Sequence, residues 1–153
     1  MKRGYHVAII TGGRGRSLTV RFEMLGVEHV CTNCFHKIDA LHELMQKLDV
    51  QAEEILYMGD DIPDIEPMLH VGMPVCPADA ATEVVEVSRY VSQFKGGEGC
   101  VRDVVEQVMQ CARRLVQTRR QGRSGDCRIE VIRFQTPGLL PVKKPDPFIS
   151  RAG

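Results

Sequence analysis

Five short apolar runs, each followed by a stretch of helical periodicity, constrain the fold of this chain most. The runs fall at residues 6–11, 27–32, 55–58, 73–76 and 89–92. Continuous apolar segments this short read as buried strands rather than helices. Between them, Leu18, Phe22 and Leu25 share one helical face, and Gly26 stands where that helix should stop. Ile38, Leu41, Leu44, Met45 and Leu48 share another. Short helices are expected at 65–70 and 80–87. A long helix follows Gly96-Gly97-Glu98-Gly99, with Val101, Val104, Val105, Val108, Ala112 and Leu115 as its apolar positions. Strands alternating with helices predict an α/β fold with a doubly wound parallel sheet.

A chain of 153 residues suits one domain with a real core, and 43% hydrophobic with 26% charged residues is ordinary for a soluble protein. No apolar run reaches the length of a membrane span. The start, Met1-Lys2-Arg3-Gly4, lacks a signal-peptide pattern, so a cytoplasmic location is expected. The net charge of zero hides an asymmetry: 10 basic against 17 acidic side chains through Cys111, then 10 against 3. That split divides the chain into a domain at 1–117 and a basic, Pro-rich tail at 118–153, expected to be disordered or loosely attached. The tail lacks aromatic residues interleaved on a folded platform, which argues against nucleic-acid binding. The six cysteines show no disulfide rhythm, and Cys31-Thr32-Asn33-Cys34, a single CxxC with no second pair, reads as a strand end and loop.

The third strand leads into Gly59-Asp60-Asp61-Ile62-Pro63-Asp64, three carboxylates within five residues. Clustered aspartates repel one another and gain little in a core, whereas a hard cation with oxygen ligands would hold them together. The plainer reading is a polar turn in which Asp64 caps the next helix. Two more loops should reach the same end of the sheet. One carries Thr11 and Gly12, whose hydroxyl and backbone N–H groups can hold a phosphate oxygen. The other opens an amphipathic helix with Lys37, a charge suited to phosphate.

In this order the pieces resemble motifs two to four of the haloacid dehalogenase superfamily. The match extends through Ile9-Ile10-Thr11-Gly12, Arg21, Leu25-Gly26-Val27, Lys37, Tyr57 to Asp64, Val71-Gly72, Ala78-Asp79-Ala80 and Gly96-Gly97-Glu98-Gly99, ending at Arg102-Asp103. Within that superfamily the chain is similar to the 3-deoxy-D-manno-octulosonate 8-phosphate phosphatases. The resemblance implies a Mg2+-dependent phosphomonoesterase acting on a sugar phosphate in lipopolysaccharide biosynthesis, and a homotetramer. It assigns metal binding to Asp60, with Asp61 and Asp64 in support. Thr11 and Gly12 would hold the phosphate, Lys37 would pair with it, and Arg21 would enter the substrate pocket. Gly96, Gly97 and Arg102 would shape the rim.

The family opens with a strand ending in DxDGVxTDG, and the residues ahead of Thr11 contain no aspartate. The resemblance therefore implies a haloacid dehalogenase-like Rossmannoid domain without its first central strand and without the attacking aspartate, hence inactive as it stands. Gly13, Glu98 and Asp103 are lesser departures. With that strand gone, the strands at 6–11 and 55–58 are expected to pair directly, giving the order 2-1-3-4-5. Two alternatives remain: a non-catalytic remnant that binds phosphate or oligomerises, and the phosphatase-like domain of an acylneuraminate cytidylyltransferase.

Overall fold

The computed structural model describes residues 5–14 and 16–120. In chain order they form β1 (Ala8–Ile10), α1 (Arg16–Met24), β2 (His29–Cys31), α2 (Lys37–Leu48), β3 (Leu56–Met58), α3 (Ile65–His70), β4 (Met73–Cys76), α4 (Thr82–Val87), β5 (Tyr90–Val91) and α5 (Cys100–Arg120). Every strand expected from the apolar runs is present, and all pairings are parallel. The last helix runs to Arg120, and the tail from residue 121 lies outside the described residues.

Local chemistry sets the element ends. The α1 helix closes through Val27 N–H donating to Phe22 O at 3.0 Å, with Gly26 at φ +74°, the left-handed stop that glycine makes cheap. At the end of α2, Asp49 takes the left-handed position (φ 51°) and its N–H bonds Met45 O. Pro74 lies inside β4 yet still accepts from Arg89 N at 2.8 Å. Its missing donor belongs to the first rung beside β5, where the ladder is only beginning.

The core gathers Leu41 of α2, Tyr57 of β3, Met68 of α3, Val71, Cys76 of β4 and Val84 of α4. Two faces differ from expectation. Leu25 stands exposed beyond the end of α1. On α5, Val101 and Val105 also face outward, while Cys100, Asp103 and Val104 are buried. Asp103 decides that rotation: its Oδ2 accepts from Tyr90 Oη and from Ser92 Oγ, both at 2.7 Å, tying α5 to β5.

Burial by itself would push the Asp103 carboxyl up, but hydrogen bonds from Ser92, Tyr90 and Gln107 hold it below its ordinary value. Burial together with the bond to Asp103 pushes the Tyr90 hydroxyl up to about 12. Because the folded carboxyl titrates below the unfolded one, its stabilisation is complete above the unfolded pKa of about 4 and is lost as pH falls through the lower folded value. In urea unfolding at pH 6 and pH 3, Asp103→Asn is therefore expected to narrow the stability difference between the two pH values relative to wild type.

The sheet order corrects the expectation of 2-1-3-4-5. Among the described residues β1 pairs only with β2, with Ile9 opposite Val30, and β3–β4–β5 forms a separate three-stranded sheet. No ladder joins β1 to β3. Closing the gap would carry β1 about 4.8 Å sideways. That shift would pull on α2, which packs against β1 and α3 and buries Leu41 and Leu44. Unpaired ladder groups are costly only when dry, and Ala8 and Leu56 flank the gap as exposed residues. The packing of α2 against both β1 and α3 thus opposes closure of the gap.

Candidate active site

The loops leaving β3, β4 and β5 are laced together at the carboxyl ends of their strands, where α/β sheets bind ligands. Ala81 N–H donates to Asp60 O at 3.0 Å, and Ala78 N–H to Phe94 O at 3.0 Å. Gly96 N–H donates to Asp79 Oδ1 at 2.8 Å. The aspartate loop thus sits on a frame that includes the Gly96-Gly97 turn.

Within that loop the three carboxylates have separate positions. Asp64 is 2% exposed and is the hub. Its Oδ1 accepts from Lys37 Nζ at 2.7 Å and from Tyr57 Oη at 2.8 Å. Its Oδ2 faces the N–H groups of Asp60 and Asp61 at 3.4 and 3.5 Å. Burial and the neighbouring carboxylate push the Tyr57 hydroxyl well above its ordinary range, so it remains a proton donor. Asp61 caps the turn at Ile62–Asp64 through Ile62 N–H at 2.8 Å. Asp64, the residue expected to cap α3 on the plainer reading, makes no such bond. Its oxygens are spent on the hub, which fixes the loop in place.

Asp60 remains exposed, its carboxylate bonded to no described side chain. Mg2+ is commonly held by one or two carboxylates, completing its shell with water and phosphate oxygens. Asp60, with the outer face of Asp61, fits that requirement. Asp64, buried and already bonded to Lys37 and Tyr57, is the least accessible of the three. No group of three or more His, Cys, Asp or Glu converges among the described residues, so water or substrate would have to supply the other ligands.

The Thr11 loop is bonded to the turn that precedes α2. Thr11 N–H bonds Cys31 O at 2.9 Å, Cys34 N–H bonds Thr11 O at 3.0 Å, and Asn33 N–H bonds Gly13 O at 3.2 Å. Thr11 Oγ1 accepts from Gly13 N–H at 3.1 Å, which leaves its own proton free to donate. Lys37, 16% exposed, begins α2 three residues after Cys34. Thr11 and Gly12 thus meet the turn that leads into α2, and Lys37 at the start of α2 meets Asp64. Arg21 and Arg102 stand exposed on α1 and α5, without a side-chain bond to this cluster.

Sequence reasoning overlooked Arg14. Its Nε donates to Asn33 Oδ1 at 2.5 Å, and its guanidinium lies 5.3 Å from the Phe35 ring centroid. The arrangement holds a cation beside the Thr11 turn. The only signal in the sequence was its place in Gly12-Gly13-Arg14-Gly15, next to a turn already suspected of binding phosphate.

Parallel strands, a Thr-Gly turn, and a lysine drawn onto a Gly-Asp-Asp loop define an α/β domain whose charged loop lies at the carboxyl end of a strand. The chain belongs to the haloacid dehalogenase-like hydrolases, whose family model matches residues 25–102. Among its relatives is the 3-deoxy-D-manno-octulosonate 8-phosphate phosphatase of Yersinia pestis, 38% identical over 119 residues, covering 78% of this chain and 61% of that protein. The crystal structure of the Y. pestis phosphatase superposes with a TM-score of 0.64 at 41% identity, over 65% of this chain and 54% of that one. The Moraxella catarrhalis phosphatase, solved with magnesium ion, phosphate ion and a KDO molecule, gives a TM-score of 0.68 at 31% identity, covering 70% and 62% of the two chains. The chain spans about three fifths of the length of the curated relatives it matches.

Proposed function

We propose that this chain carries the phosphate- and magnesium-facing part of a phosphatase for a sugar-acid phosphate, 3-deoxy-D-manno-octulosonate 8-phosphate, acting in the cytoplasm as a homotetramer in lipopolysaccharide precursor synthesis. The observation that carries this reading is the 2.7 Å ion pair between Lys37 and Asp64, which draws a cation onto the aspartate loop from 27 positions away. Likeness to phosphatases, one of them solved with magnesium and phosphate, supports the substrate class.

Asp60 would hold the Mg2+, with Asp61 beside it and Asp64 positioning both. Thr11 Oγ1 and Gly12 N–H donate to phosphate oxygens, while Lys37 offsets their charge. Arg21 and Arg102 are assigned to the outer substrate pocket. Bound Mg2+ supplies Lewis-acid neutralisation of the phosphoryl oxygens. These residues account for binding the phosphate and neutralising its charge, not for the attack on phosphorus.

Calorimetric titration of Mg2+ with and without inorganic phosphate tests this reading. Phosphate should tighten Mg2+ binding, because anion and cation share a site. Asp60→Asn removes a charge facing the ion and should weaken Mg2+ binding by at least about tenfold, roughly 1.4 kcal/mol. Equal Mg2+ affinity in wild type and Asp60→Asn would overturn the metal assignment.

A further inference from the structure

α2 and α3 face each other across an open groove of about 590 Å3 that begins at Ile62 and Ile65 beside the aspartate loop, and each helix contributes one imidazole. His42 Nε2 and His70 Nε2 lie 3.2 Å apart, with the rings nearly perpendicular (76°) and their centroids 4.8 Å apart. Ile38, Ile65 and Leu69 form apolar walls, and Glu66, one helical turn ahead of His70, brings a carboxylate to the same groove.

We infer that His42 and His70 form a binding site for Zn2+, bridging α2 and α3. Two imidazole nitrogens bound to tetrahedral zinc at about 2.0–2.1 Å from the metal lie about 3.3–3.4 Å apart, close to the separation seen here. The same contact can be a hydrogen bond at the upper end of the usual range when one ring donates, and a cation would take the place of that proton. Imidazole suits zinc, whereas Mg2+ selects oxygen, so the groove and the Asp60 loop call for different ions. Since no third ligand converges with the pair among the described residues, water completes the zinc shell and Glu66 offsets its charge from nearby. The bound ion would staple the two segments that the Lys37–Asp64 pair already joins, so it should raise the thermal midpoint. The inference uses none of the groups assigned to phosphate or Mg2+ and does not rest on that reading.

The test is a Zn2+ titration of the full chain with Mg2+ kept saturating, read by calorimetry and by thermal unfolding. Wild type should bind one zinc and unfold at a higher temperature with it. His42→Ala and His70→Ala remove exposed rings, so each should unfold like wild type without zinc. In both, the dissociation constant should rise at least about tenfold and the thermal shift should vanish. Cys31→Ser/Cys34→Ser should keep zinc binding, which separates the imidazole pair from the CxxC thiols. Absent zinc binding in wild type, unchanged affinity in both histidine variants, or loss of binding in the cysteine variant would each overturn the inference.

Discussion

Replacing Asp64 with alanine is expected to cost about 3–5 kcal/mol in urea unfolding at neutral pH, the usual penalty for breaking a buried ion pair by removing one partner. The size follows from what is stranded. Lys37 loses the carboxylate that holds its ammonium at 2.7 Å in a site only 16% exposed. Tyr57 Oη, inside the core, loses its acceptor, and the N–H groups of Asp60 and Asp61 lose theirs. Each dry, unpaired polar group adds its own desolvation cost. Asp64→Asn should cost less, because the amide oxygen can still accept from Tyr57. Lys37→Met should also cost less than Asp64→Ala, because the carboxylate keeps Tyr57 and the backbone donors. A loss under about 1 kcal/mol for Asp64→Ala would place the pair among solvent-screened surface bridges and remove it as the organiser of the loop.

That hub also shows where sequence reading reached its limit. The strand at 55–58, the glycine that ends it and the cluster of carboxylates are local features, and each appears within a residue of its expected place. Family order then placed Lys37 beside that loop, and the ion pair is consistent with it. The resemblance set Asp60 apart from Asp61 and Asp64, but spacing alone gave no reason for that division of labour. Three carboxylates in one turn look alike until α2 is packed, and only then does Asp64 turn inward and leave Asp60 facing out. The gap between β1 and β3 was missed for a similar reason. Counting unpaired ladder groups favoured closure, but the exposure of Ala8 and Leu56 and the packing of α2 are tertiary facts. On α5 the valine stripe suggested one face, and a buried polar residue, Asp103, chose another. His42 and His70 lie 28 positions apart on different helices, beyond the reach of any spacing argument.

Gly59→Ala is expected to destabilise the chain by about 1–3 kcal/mol and to disturb the aspartate loop as well, because the added methyl has nowhere to go. It would collide with Asp64 Cβ, lie 2.9 Å from Asp64 Cγ and stand 2.7 Å from Met68 Sδ. A thioether can often swing aside, but Met68 is fully buried in the core cluster. Asp64 cannot retreat without stretching its bonds to Lys37 and Tyr57. Strain at Gly59 is thus passed to the group that holds Asp60 in place, and Mg2+ affinity should fall together with stability. Gly12→Ala is the matched control, since its methyl would meet only Cys34 O at 3.6 Å, an ordinary contact. In urea unfolding the midpoint of Gly59→Ala should drop with an unchanged slope, the mark of lost stability without a change in compactness. A midpoint equal to that of Gly12→Ala would mean that Asp64 and Met68 can both yield, and that the close approach of β3 to α3 does not fix the loop.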